Sequence, residues 1–507
     1  MQPSELKFKE SWFWVLNFAF LRLLVSRSYS LFMNSVWQQL TLSNLQLYQW
    51  RGTSYLYRLV GLLQSWRRGS YVMQWAEPIG ALLVALVLVL APFVGRTNNA
   101  LIAVLLLAAA AFWVLLTLSD EAGQREEFHP KVTPIHLLVL LYWGISVVAT
   151  ALSPVKKAAA TGLGKLTLYF LLFALMARVL RSPRLRSWLI ALFLHVSLIV
   201  SVYGLRQWFF GATALATWVD PASTSAKLTR VYSYLGNPNL LAGYLLPAVA
   251  LSLAAIFVWQ RLLLKALATT MFIVNSTCLV VTFSRGGWIG FVVCLSVFLV
   301  LLVYWFSVQL PSKWRPLAMP VLLGGSATVM LLAVLFVEPV RDRVASMFAG
   351  RDDSSNNFRM NVWSAVIEMI RDRPIIGIGP GNTAFNKVYP LYMRARFSAL
   401  SAYSIVLEVA VETGVIGLSC FLWLLLVTFN QGVQQVCRLR TLANRNAFWL
   451  MAAIAAMAGM LAHGLVDTVW YRPEVSTLWW LMVALIASFY VPAIADTSTA
   501  EGLRVEG

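Results

Sequence analysis

Long stretches of this chain carry almost no charge, and short clusters of arginine, glycine, proline and asparagine separate them. Twelve apolar blocks stand out, at 79–95, 100–118, 134–152, 163–180, 187–205, 239–258, 264–283, 286–306, 317–337, 405–429, 447–467 and 476–493. An apolar run of about 18 or more residues reads as a membrane span. Lipid offers the backbone no hydrogen bonds, so a span must close its own bonds as a helix or join a closed barrel. The blocks are continuous rather than alternating, which selects helices. The predicted fold is all-α: a polytopic integral membrane protein with about twelve transmembrane helices and one large, partly helical loop. The tenth block is longer than its neighbours and reads as a short re-entrant piece followed by a crossing.

The chain divides accordingly. Residues 1–70 form an N-terminal extension, 71–337 hold the first nine helices, 338–402 the large loop, 403–493 the last three helices, and 494–507 a tail. Within the extension, Ser11 to Phe32 is apolar and aromatic, but Arg22 and Arg27 interrupt it and no small-residue cleavage site follows. It reads as an interfacial amphipathic helix, or as sequence upstream of a natural start at Met33. The start is Met1 or Met33, and residues 1–32 are expected to be dispensable.

Composition supports the membrane reading. Of 507 residues, 59% are hydrophobic and 12% charged, against about 25% charged in a soluble domain. The formal net charge is +19. Its basic residues are scattered through short inter-span loops, so nucleic acid is not an expected partner, and membrane lipid is. Lys and Arg are retained on the cytoplasmic side. With the N-terminus inside, the inner segments between Arg51 and Arg445 carry seventeen Lys/Arg against eight in the short outer loops, which favours N-in and C-in and places loop 338–402 outside. The four cysteines (Cys278, Cys294, Cys420, Cys437) and four histidines lack ligand or disulfide spacing. No metal and no cofactor is expected, and no nucleotide-binding loop points to a primary pump.

Four polar segments on the predicted outer side carry the chemistry, because ionisable groups near spans are costly and tend to be functional. Arg230 to Asn239 ends in Gly-Asn-Pro-Asn, where Asn237 or Asn239 can cap the next helix. Arg230 beside that helix start makes an anion-site candidate. Ser284-Arg285-Gly286-Gly287 places a second arginine between two apolar blocks. In the large loop, Phe358 to Arg373 has a helical apolar stripe, with Ser354 to Asn357 as cap candidates and Pro374 as terminator. Gly377 to Asn382 follows; Pro380 interrupts its glycines, so it reads as a packing turn rather than a dinucleotide fingerprint. Finally, His463 and Asp467 are four apart, hence on one helix face, a spacing that suits a structural hydrogen bond or a proton-handling pair.

These segments, in this order, resemble the O-antigen ligase-related superfamily, which includes O-antigen polymerases, over about residues 70 to 490. Ser284 to Gly287, Arg359 with Trp363, Gly377 to Asn382 and Glu412 to Leu418 resemble family motifs. The resemblance implies a bacterial inner-membrane protein with a periplasmic loop, an arginine in the Arg285 segment that engages an anion, and a metal-independent glycosyltransferase activity on a lipid-linked saccharide. The ligases carry a His-Asn pair whose histidine precedes the first glycine of the last motif by eleven residues. Here that position is Tyr403, followed by Ser404, and a phenol of pKa near 10 is a poor base at pH 7.

Within the superfamily, several segments are similar to the cyanobacterial inorganic carbon (bicarbonate) transporter subgroup. They are Trp218-Val219-Asp220, Tyr232 to Asn239, Asp353 to Arg359, Leu400 to Ser404 and Thr468 to Glu474. Three functions are therefore carried forward. The foremost is bicarbonate transport or accumulation; the alternatives are glycan ligase or polymerase chemistry with another base, and a non-catalytic scaffold. Arg230, Arg285, Arg359 and Tyr403 are the candidate anion- or substrate-binding residues, and the ligand is a small anion or a lipid-linked glycan.

The lysine and arginine count makes a direct prediction. Single cysteines placed in 338–402 are labelled by an impermeant maleimide on intact cells, whereas cysteines beside Arg181 or Arg438 are labelled only after permeabilisation.

Overall fold

In the computed structural model, which describes residues 36–43, 45, 60–93, 99–120, 132–212, 230–468 and 470–491, every apolar block falls on a helix, and no strand occurs among these residues. The extension up to Met33, the Trp218–Asp220 motif and the 494–507 tail lie outside them. The helices run α1 Ala76–Leu90, α2 Asn99–Leu118, α3 Pro134–Ala151, α4 Lys156–Val179, α5 Pro183–Phe210, α6 Pro238–Val258, α7 Leu262–Val280 and α8 Arg285–Phe306. They continue as α9 Arg315–Phe336, α10 Glu338–Phe348, α11 Ser354–Asp372, α12 Asn382–Val388, α13 Ile405–Thr441, α14 Ala447–Gly464 and α15 Pro473–Ser488. Among the described residues, ten helical stretches are long and apolar enough to cross a membrane. Two further apolar stretches, Leu317–Thr328 in α9 and Pro473–Ser488, are shorter, and these are the ninth and twelfth predicted blocks. The protein is all-helical and polytopic.

Helix starts follow local chemistry. Asn237 caps α6: its Oδ1 accepts from the backbone N–H of Asn239 (2.8 Å) and of Leu240 (3.3 Å), and Pro238 sits at the first helical position. That leaves the Asn239 side chain free for other work. Ser284 caps α8 by accepting from Gly287 N–H at 3.1 Å. The loop helix α11 starts earlier than its apolar stripe suggests. Its cap is Asp353 rather than any of Ser354 to Asn357, because the Asp353 carboxylate accepts from Asn356 N–H at 2.9 Å.

The centre of the bundle is α6 and α14, whose side chains are buried almost all round. Such helices lack the polar stripe of a surface helix, as expected for elements enclosed by other spans. α8 crosses them closely on a glycine face. A Cβ at Gly290 would lie 2.6 Å from the Gly459 carbonyl oxygen of α14, and one at Gly287 would lie 2.5 Å from Ala242 Cβ of α6. Small residues at membrane helix crossings permit this approach. It brings the N-terminal ends of α6 and α8 together with the C-terminal end of α14.

The tenth block is one long stretch of helix broken at Gly414, whose φ of 66° and ψ of −169° are non-helical. A side chain there would meet the Ile375 carbonyl oxygen at 2.1 Å. The break leaves helix carbonyls without intrahelical partners, which a membrane interior cannot solvate. The loop supplies the missing donors: Ile378 N–H donates to Val411 O and Gly379 N–H to Glu412 O, both at 2.9 Å, while Val415 N–H donates to Pro374 O at 2.8 Å. Glu412 Oε1 also accepts from Gly381 N–H (2.8 Å), and Ser153 Oγ donates to Ile378 O (2.5 Å). Gly377 to Asn382 is thus a packing turn against α4, α13 and the α3–α4 connection. The loop has its own small core, where Val362, Val366 and Met369 of α11 meet Ile378, Phe385 and Tyr389.

Tight docking at Gly162 of α4 gives a controlled test. A Cβ there would lie 1.9 Å from the Pro380 carbonyl oxygen, whereas one at Gly164, two residues on, meets nothing within 4 Å. Gly162→Ala is expected to destabilise the protein by about 1–3 kcal/mol through overpacking. Gly164→Ala is expected to be neutral or stabilising by up to about 1 kcal/mol from helix propensity. Thermal unfolding of both variants in detergent, compared with the parent, measures the difference.

Candidate functional site

At the end of the bundle where α6 and α8 begin and α14 ends, the structure gathers four guanidinium groups and two carboxylates. Arg285 opens α8 and is buried. Its Nη1 donates to Asp353 Oδ1 at 2.9 Å and to Asn356 Oδ1 at 2.7 Å, and its Nη2 pairs with Asp353 Oδ2. This fork-on-carboxylate contact ties α8 to the start of α11. Arg230, just before the α6 cap, donates from Nε to the Thr282 carbonyl oxygen (3.1 Å) and from Nη2 to Asn239 Oδ1 (3.2 Å). Asn239 relays the contact, its Nδ2 donating to Asp467 Oδ2 at 2.6 Å. Arg359 of α11 reaches the same Asp467 oxygen at 3.5 Å and donates to Ser355 Oγ at 2.9 Å. Arg343 of α10 donates from Nε to the Phe283 carbonyl oxygen at 3.0 Å.

Formal charge in this cluster is four positive against two negative, a net of +2. The groups are close enough to repel. Burial lowers the Arg230 guanidinium to about 10, with the Arg359 and Arg285 charges acting in the same direction and Asp467 opposing. Burial likewise lowers Arg343 to about 9, and Arg230, Arg285 and Arg359 add to it. Burial pushes the Asp353 carboxyl up, but hydrogen bonds from Arg285 and from Asn356 N–H outweigh it and hold the group below its ordinary value. Two donors remain open: the Nε atoms of Arg285 and Arg359 are buried and have no protein partner among the described residues.

Tyr403 lies at the edge of this cluster. Its φ of 52° is left-handed, a conformation an L-residue adopts only when its surroundings hold it there. Its carbonyl oxygen accepts from Trp363 Nε1 at 3.4 Å, and its ring meets Phe358 edge-on with centroids 5.5 Å apart. Burial pushes the phenol well above its ordinary pKa, and the Asp467 charge adds to that. Tyr403 is therefore a neutral hydrogen-bonding group at pH 7, not a base.

His463 and Asp467 are arranged differently from the expectation of one helix face. α14 ends at Gly464, so Asp467 lies beyond it. Its carboxylate is taken by Asn239 and Arg359, while its backbone N–H returns to the His463 carbonyl oxygen at 3.2 Å. The imidazole is buried against Gly286, and neither ring nitrogen has a partner among the described residues. Among these residues no group of three His, Cys, Asp or Glu could hold a metal ion.

Of the sequence candidates, Arg230, Arg285 and Arg359 converge with Tyr403 beside them. Sequence reasoning passed over Arg343, Asn239 and the ligating role of Asp353. Arg343 sits in Glu338-Pro-Val-Arg-Asp-Arg, which reads as an ordinary charged surface turn. Asn239 looked like a competing cap, and only the structure shows that Asn237 takes that role.

With the site described, the chain can be compared with known proteins. Residues 270–422, from α7 through the first part of α13, match the family model for O-antigen ligase. The match includes Arg285, Arg343, Asp353, Arg359, Gly377 to Asn382 and Tyr403. No curated protein sequence matches the chain.

The Arg285–Asp353 pair predicts how the loop is held. Asp353→Ala removes both the ion pair and the α11 cap, whose loss alone costs about 1 kcal/mol. Arg285→Gln removes the ion pair and the Asn356 contact but leaves the α11 cap in place. Limited proteolysis within 345–357 is expected to accelerate in both variants, and more in Asp353→Ala. Because the folded Asp353 pKa is depressed, its stabilisation is present above the ordinary carboxylate range and is lost as pH falls through the lowered value. Cleavage in the parent is therefore expected to stay slow from pH 8 to pH 5.

Proposed function

We propose that this protein is a membrane glycan transferase of the O-antigen ligase or polymerase type, moving a saccharide from a lipid-linked diphosphate donor to an acceptor hydroxyl. The observation that carries the reading is the charge imbalance of the Arg230–Arg285–Arg343–Arg359 cluster, on a stretch that matches the O-antigen ligase family. A diphosphate brings the negative charge this cluster lacks, and the planar guanidinium fork suits bidentate contact with pairs of phosphate oxygens.

The acceptor oxygen forms a bond to the anomeric carbon as that carbon's bond to the donor diphosphate breaks, and the electron pair leaves with the lipid diphosphate. Arg285 and Arg359, through their open Nε donors, and Arg230 stabilise the charge that develops on the leaving group. The acceptor proton passes to Asp467, the carboxylate whose charge acts on the Tyr403 phenol. Tyr403 orients the acceptor by hydrogen bonding. This assigns the ligase histidine's role to a different side chain.

Bicarbonate transport makes a similar demand for cationic donors, and a guanidinium cluster suits that anion too. The comparisons lend it no support and favour the transferase, reversing the order in which sequence alone ranked them. The non-catalytic scaffold gains nothing from four converging arginines.

Purified protein is to be given a lipid-linked oligosaccharide donor and a glycan or lipid acceptor, with bicarbonate uptake into proteoliposomes measured beside it. Transfer without uptake is expected. Arg285→Lys keeps the charge but loses the fork, and is expected to lower transfer roughly 100-fold while inserting and folding normally; Asp467→Asn is expected to reduce it comparably. Uptake without transfer, or an Arg285→Lys variant with full activity, overturns the proposal.

A further inference from the structure

The opposite end of the bundle holds two cavities that treat arginine differently. In one, of about 440 Å³, each arginine with a visible contact faces acid: Arg178 donates to Glu77 (2.8 Å) and Asp120 (2.7 Å), and Arg67 to Asp120 (2.9 Å). The other, of about 410 Å³, lies where α5 begins, where α13 turns into α14 and where α15 ends. Arg181, Arg186 and Arg438 line it, with Asn444 and Asn446, and no carboxylate among the described residues does.

Arg186 is the informative side chain. It is only 4% exposed, its Nη1 donates to the Leu180 carbonyl oxygen at 3.2 Å, and its guanidinium lies on the Phe489 ring at 4.1 Å. Its Nε has no partner among the described residues. Arg438 spends Nε on Gln435 Oε1 at 2.8 Å and remains half-buried at the cavity wall. Capping of a helix carbonyl accounts for one Arg186 bond, and no carboxylate among the described residues pairs with its charge. The rest of the wall is apolar and aromatic, with Leu439, Phe489, Tyr490 and Val491 beside the charges. A cavity whose wall sets guanidinium groups beside apolar and aromatic side chains, at the level where spans end, suits a lipid headgroup rather than a free ion.

We infer that this cavity binds the phosphodiester headgroup of an anionic phospholipid, with Arg186 and Arg438 as its principal donors and Arg181 at its rim. The positive-inside count places it in the cytoplasmic leaflet, across the membrane from the arginine cluster of the proposed transferase, and the inference stands independently of that function.

The test is native mass spectrometry of the full-length protein in detergent supplemented with phosphatidylglycerol, phosphatidylethanolamine or inorganic phosphate. One phosphatidylglycerol is expected to be retained in preference to phosphatidylethanolamine and not to be displaced by millimolar phosphate. Arg186→Gln with Arg438→Gln is expected to lower that retention at least tenfold. Arg181→Gln with Arg438→Gln, both at part-exposed side chains, is expected to lower it severalfold and serves if the Arg186 variant fails to fold. Equal retention of the two lipids, retention unchanged in a folded variant, or displacement by phosphate overturns the inference.

Discussion

Everything at the arginine cluster depends on one electrostatic constraint: four guanidinium groups lie close together with two carboxylates. Charges held near a low-dielectric interior repel strongly and are tolerated only when paired or wetted. Asp353 neutralises Arg285 and Asp467 serves Arg359 and, through Asn239, Arg230. Arg343 is left to a backbone carbonyl. The fold holds this arrangement together through close helix crossing. Gly287 and Gly290 let α8 lie against α6 and α14, so the arginine at the head of α8 meets the asparagine at the head of α6 and the aspartate after α14.

The same economy governs the loop. A helix break at Gly414 exposes carbonyls that need donors, and the glycine-rich turn 377–381 provides them. Docking this turn fixes α11, which is capped by Asp353 and carries Arg359 between one and two turns further on. The backbone hydrogen bonds that repair a broken span therefore also position the arginine cluster. Conformational strain sits at the junction, where Tyr403 holds a left-handed backbone beside the start of α13.

Much of this was legible in the sequence. The apolar blocks predicted the helices, because a membrane span is the strongest pattern a chain can carry. The break in the tenth block was foreseen from its length, and Arg230 and Arg285 stood out because arginine beside a span is expensive. What remained hidden depends on distances between segments far apart in the chain. Asp353 pairs with Arg285 across 68 positions and Asn239 with Asp467 across 228, and nothing local in the sequence announces either contact. Spacing alone suggested that His463 and Asp467 share a helix face, but the helix stops between them and Asp467 turns to other partners.

The central claim is that the arginine cluster is an oxyanion site built for a diphosphate, and affinity tests it most directly. Binding of a short-chain polyprenyl diphosphate and of the matching monophosphate to the purified protein should be measured for the parent, Arg230→Gln and Arg285→Lys. The account predicts tighter binding of the diphosphate by the parent, with that preference reduced about tenfold in each variant, a loss of roughly 1.4 kcal/mol. Equal affinity for the two ligands, or a preference that survives both substitutions, would contradict it.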